Sequence, residues 1–216
     1  MLYYEDDSVT IYHGDCREII PTLPSVDLVL TDPPYGIGVT GMQLGTGSHK
    51  WHRGEWDNDR PDLRPVLIAA YHCIWGGNYF TDQLEPVESW LVWIKRSERF
   101  DSDRYIGSFS VVEMAWTDYG GKPKTKHHNW DGGMRAGDSS NRDFLHPTQK
   151  PLELMRWCIS GAPNDPQIIL DPFMGSGTTL RAAKDLGRKA IGIEIEERYC
   201  EIAAKRMSQS VMALEV

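Results

Sequence analysis

The segment IILDPFMGSGTTLRAAKDLGRKAIGIEIEERY, residues 168–199, decides the fold class of the chain. It begins with an apolar run that ends at Asp171, passes through a glycine-rich turn into a helical pattern, and returns to an apolar run that ends at Glu194. A strand, a helix and a second strand in this order form the repeating unit of a parallel sheet that is covered by helices. The segment therefore predicts an α/β fold.

The remainder of the chain repeats the alternation of strands and helices. At 216 residues the chain suits one domain, residues 1–216, with a sizeable core. We predict a three-layer, doubly wound and mostly parallel sheet of seven strands, because continuous apolar runs are typical of buried parallel strands. The predicted strands lie at residues 8–14, 26–31, 71–77, 89–95, 109–117, 167–171 and 189–194. The predicted helices lie at residues 16–23, 61–70, 152–160, 179–187 and 196–207.

Composition and charge argue against several classes of protein. The chain is 40% hydrophobic, and no apolar run approaches the ~18–20 residues of a membrane helix, so we predict no membrane span. The acidic N-terminus lacks the pattern of a signal peptide, which favours the cytoplasm. The four cysteines include no C-x-x-C pair, which argues against a disulfide framework or a zinc ribbon and indicates reduced thiols. A net charge of −8 is unfavourable for a polyanionic partner unless basic residues cluster locally.

The segment LTDPPYGIG, residues 30–38, is the second informative stretch. Its two consecutive prolines supply no backbone N–H, so the chain cannot continue as an interior strand or begin a helix in the usual way. The sequence predicts a rigid kink that displays carbonyl oxygens, the Asp32 carboxylate and the Tyr35 ring. Because Asp and Pro favour turns for local reasons, the motif taken alone is also compatible with a plain turn.

The glycine-rich turn indicates a nucleotide-like ligand. Gly175 and Gly177 permit close approach of the backbone, and Glu194 ends the next strand. In dinucleotide-binding folds a carboxylate about 20 residues on hydrogen-bonds ribose hydroxyls, so we expect an adenosine-type ligand. The turn lacks the third glycine of the dehydrogenase fingerprint, which counts against a nicotinamide cofactor. The glycine pair alone is equally compatible with a purely conformational role.

A third motif, HPTQKP at residues 146–151, lies between the other two. Together D-P-P-Y, HPTQKP and F-x-G-x-G, in this order, resemble the motifs of the S-adenosylmethionine-dependent DNA amino-methyltransferases of the β group, which modify adenine N6 or cytosine N4. The resemblance extends from Gly14 and Asp15 to Tyr199, apart from the middle loops. It implies a Rossmann-like methyltransferase fold, DNA as the partner, and S-adenosylmethionine (SAM) as the cofactor, with S-adenosylhomocysteine as its product.

The resemblance assigns the chemistry to the D-P-P-Y motif. An exocyclic amino nitrogen is a poor nucleophile because its lone pair is delocalised into the ring, and two acceptors for its N–H groups favour a pyramidal nitrogen and stabilise the developing charge. By resemblance, these acceptors are the Asp32 carboxylate and the Pro33 carbonyl. Pro34 completes the catalytic set, and Tyr35 is expected to stack on a base that has left the duplex. The transfer requires no metal.

The resemblance also places residues around the cofactor. Glu194 is expected at the ribose hydroxyls and Asp15 near the adenine. Thr148 and Lys150 are expected at the methionine carboxylate. The residues expected around the methionine and ribose portions are Phe173, Gly175, Ser176 and Gly177. The expected cofactor site is completed by Asp32, Asp171 and Thr178.

Two irregular segments, residues 36–60 and 118–145, are expected to contact DNA. Long loops in compact domains tend to be functional, and positive charge concentrates here at residues 50–53 and 121–128. The family usually reads its target with an inserted recognition domain, and the span available here is short. Specificity is therefore expected to be short, relaxed or assisted by a partner subunit. The resemblance also favours a homodimer and a restriction–modification context.

Several functions stay open at the level of sequence. Adenine N6 is favoured because D-P-P-Y is more typical of adenine enzymes and S-P-P-Y of cytosine enzymes, and cytosine N4 is the alternative. The glycine turn argues against a nucleotide-dependent oxidoreductase, and the intact residues 32–35 argue against a non-catalytic DNA-binding module. RNA as the substrate is a further alternative, although the motif order favours DNA.

Overall fold

The computed structural model of the protein describes residues 1–37, 59–95, 110–131, 134–135 and 149–209. The strands in these ranges are β1 (Leu2–Glu5), β2 (Val9–His13), β3 (Leu28–Thr31), β4 (Tyr71–Trp75), β5 (Trp90–Ile94), β6 (Val112–Thr117), β7 (Lys124–His127), β8 (Trp130–Asp131), β9 (Met134–Arg135), β10 (Ile168–Asp171) and β11 (Lys189–Glu194). The α-helices are α1 (Cys16–Ile19), α2 (Leu152–Gly161), α3 (Thr178–Asp185) and α4 (Glu197–Ser208). None of these helices has the length and apolar character needed to cross a bilayer.

Nine of the strands form one mixed sheet in the order β1-β2-β11-β10-β3-β4-β6-β5-β7. The central strands from β2 to β4 are parallel to one another. Strand β6 is antiparallel to both β4 and β5, and the two edge strands pair with β2 and β5. Strands β8 and β9 form a separate antiparallel pair. The late strands β10 and β11 thus lie between β2 and β3, which come from the beginning of the chain.

Both faces of the central sheet are buried. In β3, Leu28 and Leu30 belong to one core and Val29 to the other, as the two-residue period of a strand requires. Helices α2, α3 and α4 cover the first face, and α1 packs against the second. Since all four residues of β3 are buried, its sequence is continuously apolar. The predicted three-layer α/β fold with a mostly parallel sheet is confirmed.

The sheet contains two edge strands, β1 and β7, in addition to the seven that the sequence predicts. Strand β7 has the sequence KTKH, is mostly exposed and shows no apolar period. It is a strand because its backbone pairs in parallel with β5. Strand β1 is likewise exposed at both ends. An edge strand needs a backbone partner on one side only, so its side chains carry little of the pattern that reveals a buried strand.

The helix predicted over residues 61–70 is wrong. Within this range the structure has a 3-10 turn at Arg64–Val66. Pro65 supplies no backbone N–H for a continuing α-helix, and the Ala69 N–H donates to the His72 ring at 3.2 Å instead of to a helical carbonyl. The other four predicted helices are present, and the first continues beyond α1 as a 3-10 turn at Ile20–Thr22.

Candidate active site

The two principal motifs of the sequence meet at one edge of the sheet. Strand β3 ends at Thr31, directly before Asp32, and β10 ends at Asp171, directly before the glycine turn. The two strands are parallel neighbours, and the chain continues from them in opposite directions across the sheet, from β10 to β11 and from β3 to β4. A switch point of this kind leaves a crevice beyond the carboxyl ends of the strands, where ligands bind.

A cleft of about 1100 Å³ occupies this position. Its volume lies just above the usual range of about 300–1,000 Å³ for small-molecule sites. The predicted site residues that line it are Asp15, Asp32, Pro34, Lys150, Asp171, Phe173, Gly175, Ser176, Thr178 and Glu194. Pro33, Tyr35 and Gly177 are not part of this lining, and Thr148 is outside the described residues. The structure therefore brings most of the predicted catalytic and cofactor residues to one cleft.

The Asp32 carboxylate lies at the border between the cleft and the buried interior, with 24% of its side chain exposed. The Tyr35 hydroxyl donates to Oδ1, and the Lys150 ammonium donates to Oδ2 at 2.5 Å. Burial raises the pKa of Asp32, whereas the charge of Lys150 opposes this rise. Each oxygen of an ionised carboxylate has two acceptor positions, so Asp32 retains capacity for a donor that enters the cleft.

The Tyr35 ring is held by its surroundings. It stacks on Tyr79 with ring centroids 4.9 Å apart and ring planes inclined by 18°. Gly76 lies beside it with a φ of 66°, and a Cβ atom at this position would come within 2.1 Å of the Tyr35 ring. Tyr79 thus covers one face of the Tyr35 ring, and the stacking of a base on this ring stays a prediction.

Glu194 anchors the glycine turn. Its Oε2 accepts from the Gly175 N–H at 3.0 Å, and its Oε1 accepts from the Glu196 N–H at 2.9 Å. Gly177 precedes α3 with a φ of 76°, and a Cβ atom there would lie 3.0 Å from the Cβ of Ala203 on α4. The backbone geometry of the turn therefore depends on glycine, and the carboxylate that anchors it lines the cleft.

Asp171 and Asp15 have environments of opposite kinds. Asp171 is 3% exposed, and it accepts from the Thr31 hydroxyl at 2.7 Å and from the Phe173 N–H at 3.2 Å. Burial raises the pKa of Asp171 to about 6. Asp15 caps α1 by accepting from the Arg17 N–H, and its ion pair with the Arg17 side chain lowers the pKa of its carboxyl.

The residues of the cleft fit SAM. The lining combines carboxylates with basic side chains, and the carboxylates suit hydroxyl groups, an ammonium and a sulfonium charge. Apolar surface for an adenine ring comes from Phe173 and from Ile195, which is 65% exposed. The predicted site residues that supply carboxylates to the lining are Asp15, Asp32, Asp171 and Glu194.

Sequence reasoning missed three residues of this region. Ile195 has a signal, since it is an apolar residue placed directly after the carboxylate that ends β11. Glu113 also has one, because it is a charge within the apolar strand β6, and its Oε2 lies 3.1 Å from the Lys150 ammonium. Tyr79, which covers Tyr35, has no signal in the sequence. The sequence places Lys150 at a cofactor carboxylate, and in the structure this lysine is paired with carboxylates of the chain itself.

Known proteins resemble this chain in fold and in sequence. A family model described as DNA methylase, of the N6/N4 class, matches residues 82–205, more than half of the chain. The Type II methyltransferase M.HinfI of Haemophilus influenzae is 30% identical, over 93% of this chain and 68% of that protein. The crystal structure of the M1.HpyAVI–SAM complex is 30% identical, with a TM-score of 0.56, and covers 92% of this chain and 99% of its own. The cytosine-N4-specific PvuII DNA methyltransferase has a TM-score of 0.60 at 16% identity, over 97% of this chain and 90% of its own, which shows a common fold alone.

Proposed function

Because the chain belongs to the N6/N4 DNA methylase family, we propose that Asp32 and Pro33 hold the amino group of a DNA base, with adenine N6 favoured over cytosine N4. The protein is a SAM-dependent DNA amino-methyltransferase. One observation carries the proposed roles: Asp32 and the glycine turn after β10 open into the same cleft. The preference for adenine rests on the D-P-P-Y sequence.

SAM supplies a methyl group that is electrophilic because it is bonded to a sulfonium. The contribution of the chain is to hold the amino nitrogen with its lone pair directed at that methyl group. The Asp32 carboxylate accepts one N–H and the Pro33 carbonyl accepts the other, which draws the nitrogen toward a pyramidal geometry. As the nitrogen–carbon bond formed and the carbon–sulfur bond broke to leave S-adenosylhomocysteine, Asp32 would stabilise the positive charge on nitrogen until one N–H proton passed to solvent.

The remaining residues of the cleft have proposed roles in binding. Glu194 accepts from the ribose hydroxyls of SAM, Asp15 lies near its adenine, and Phe173 with the glycine turn surrounds its methionine and ribose portions. Thr148 contacts the methionine carboxylate. Pro34 borders the space for the flipped base, and Tyr35 stacks on that base.

The same proposal extends to the whole chain. Residues 1–216 form a single catalytic domain, and segments 36–60 and 118–145 contact DNA. The described part of the second segment supports this, since Lys122 and Lys124 are exposed at the edge of the sheet. Residues 50–53 lie outside the described residues. A homodimer and a restriction–modification context rest on the family resemblance, and a cytoplasmic location stays an expectation of the sequence.

Mass spectrometry of nucleosides tests the proposed target atom. Unmethylated DNA is incubated with the protein and methyl-labelled SAM, digested and analysed. We expect labelled N6-methyladenine. Labelled N4-methylcytosine as the sole product would contradict the adenine assignment, and absence of both products would contradict the proposed reaction.

The variant Asp32→Ala tests the proposed catalytic role in the same assay. Because it removes the ionised acceptor from the cleft, kcat should fall at least about 100-fold, whereas SAM binding measured by calorimetry should change little. The matched control is Glu201→Gln, which removes a carboxylate from an exposed ion pair on α4 and should leave kcat unchanged. Turnover that survives in Asp32→Ala would refute the assigned role.

A further inference from the structure

Four charged side chains alternate in sign from the cleft into the sheet. The Lys150 ammonium lies 2.5 Å from Asp32 Oδ2 and 3.1 Å from Glu113 Oε2. The Lys95 ammonium pairs with the other oxygen of Glu113. Asp32 follows β3, and Lys150 precedes α2. Glu113 lies within β6, and Lys95 follows β5. The tertiary fold, and not a local motif, therefore brings the charges together.

Lys150 is fixed at the centre of this array. It is 7% exposed, and the rings of Tyr35 and Trp75 lie 5.7 Å and 5.9 Å from its Nζ. The ammonium donates to Asp32 and, at 3.4 Å, to the Tyr35 hydroxyl, and Glu113 is its second ion-pair partner. A buried ammonium is stable only when it is paired. Its position is therefore determined by the two carboxylates that flank it.

We propose that Lys150 is a positioning residue that holds Asp32 ionised and oriented for the target amino group, and that Glu113 tempers this effect by sharing the same ammonium. The inference rests on the proposed role of Asp32 as the acceptor of the amino N–H. It replaces the expected contact between Lys150 and the methionine carboxylate. Lys150 acts through Asp32 and not on the substrate.

Lys150 matters because the Asp32 carboxyl must be ionised to accept a hydrogen bond from the target amino group. Burial raises the pKa of Asp32, Lys150 lowers it, and Glu113 raises it further. A protonated carboxyl becomes a donor at one oxygen, so it is a poorer partner for an amino group. Besides Lys150 and Glu113, the titratable groups that act on Asp32 in the described residues include the Tyr35 hydroxyl and the Asp171 carboxyl. Lys150 supplies the positive charge that offsets the burial.

Substitutions of Lys150 and of Glu113 should shift the acid limb of the kcat–pH profile in opposite directions. In Lys150→Gln the pKa of Asp32 rises, so the acid limb of the kcat–pH profile moves to higher pH, by about one to three units. In Glu113→Gln the ammonium pairs with Asp32 alone, so the acid limb moves to lower pH. A side chain that only supports the fold would not shift the profile in opposite directions.

The experiment measures kcat and the KM for SAM between pH 5 and 9 on DNA, in the wild type and four variants. Besides the two above, Lys150→Arg keeps the charge and should restore the acid limb close to its wild-type position. Lys205→Gln is the control, because Lys205 is an exposed lysine in an ion pair on α4 and should leave the profile unchanged. The KM for SAM should change less than about threefold in Lys150→Gln, since the lysine is not a cofactor contact.

Three outcomes would overturn the inference. They are an acid limb that stays in place in Lys150→Gln, shifts of the same sign in Lys150→Gln and Glu113→Gln, and a raised KM for SAM with an unmoved limb. If Lys150→Gln does not fold, the other two variants still test the inference. Glu113→Gln must move the acid limb to lower pH, and Lys150→Arg must leave the acid limb near its wild-type position. Failure of the proposed function has a different signature, which is an inactive wild type or an active Asp32→Ala.

Discussion

The carboxyl groups of the cleft differ in acidity because their surroundings differ. Asp15 is near the surface beside Arg17, which lowers the pKa of its carboxyl. Asp171 is buried between two strands, and burial raises its pKa to about 6. Hydrogen bonds from Thr179, Thr31 and Phe173 only partly offset that burial. The cleft can therefore hold several acidic side chains without all of them carrying a full charge.

The raised pKa of Asp171 predicts a pH-dependent contribution to stability. The unfolded carboxyl titrates near 3.8 and the folded one at about 6, so the native state binds the proton more tightly. The favourable contribution is fully present below the unfolded pKa and is lost as the pH rises through about 6. In Asp171→Asn this loss is absent, and the variant should gain about 2–3 kcal/mol relative to wild type between pH 4 and pH 7.

Urea denaturation at a series of pH values measures this difference. The useful quantity is the free energy of unfolding of Asp171→Asn minus that of the wild type, because other carboxyl groups cancel in it. The exposed Asp165→Asn serves as the control, and its difference should show no rise over this range. A flat difference for Asp171→Asn would contradict the assigned pKa.

The role of a single residue could be predicted where the neighbouring residues of the sequence form a recognisable motif. The motif around Asp32 and the carboxylate of Glu194 could be found because strand ends and turns are local in sequence. The pairing of Lys150 with Asp32 spans 118 positions and depends on where α2 packs, so no local pattern reveals it. Glu113 is visible in the sequence as a charge within an apolar strand, but its partners come from other elements, so its pairing was not predictable.

At the scale of elements, the turn that follows β4 determines where the Tyr35 ring lies. Gly76 begins this turn with a φ of 66°, and the space that a side chain would need is taken by the ring. The ring cannot retreat easily, because it stacks on Tyr79 and its hydroxyl donates to Asp32. One small residue in the turn after β4 thus supports the position of the Asp32 carboxylate.

The variant Gly76→Ala should therefore cost stability and activity together. Gly187→Ala is a matched control, because Gly187 has a φ of 69° but no atom within 4 Å of the added Cβ. Both variants carry the cost of a left-handed alanine, about 1–2 kcal/mol. Gly76→Ala should lose about 1–3 kcal/mol more through the clash with the ring.

Chemical denaturation and methyl-transfer assays of the two variants separate these effects. Activity should fall in Gly76→Ala and persist in Gly187→Ala. Equal losses of stability in both variants would mean that the ring moves aside at no cost. The assigned contact between Gly76 and Tyr35 would then be wrong.

Central and edge elements differed in how well the sequence predicted them. The seven predicted strands include every central strand, because burial on both faces imposes an apolar sequence. Strands β1 and β7 escaped prediction because pairing at an edge places few demands on side chains. The helix predicted at residues 61–70 failed because Pro65 cannot donate within an α-helix.

At the scale of the whole molecule, a net charge of −8 has to be reconciled with a polyanionic substrate. Acidic residues line the cleft, whereas Lys122 and Lys124 lie exposed just before and at the start of β7. Because salt screens charges beyond about 8–10 Å, a local basic edge can attract phosphate even on an acidic protein.

The double variant Lys122→Gln and Lys124→Gln should weaken DNA binding and flatten its dependence on salt. Removing one interaction between a lysine and a phosphate lowers the slope of log K against log salt by about one. The control is Lys189→Gln with Lys205→Gln, which changes the net charge equally at exposed lysines outside the cleft and β7. Fluorescence anisotropy with labelled duplex DNA at several salt concentrations provides the measurement, and equal slopes for the two double variants would contradict a role for β7.

The position of β10 and β11 between β2 and β3 has a consequence for biosynthesis. The ribosome releases the strands that flank this gap well before the strands that fill it. Pairings between such distant segments fold slowly and leave hydrogen-bonding edges open in the meantime. A nascent chain therefore possesses its D-P-P-Y tetrapeptide long before it possesses a crevice, and methyl transfer begins only when the last strands have been inserted.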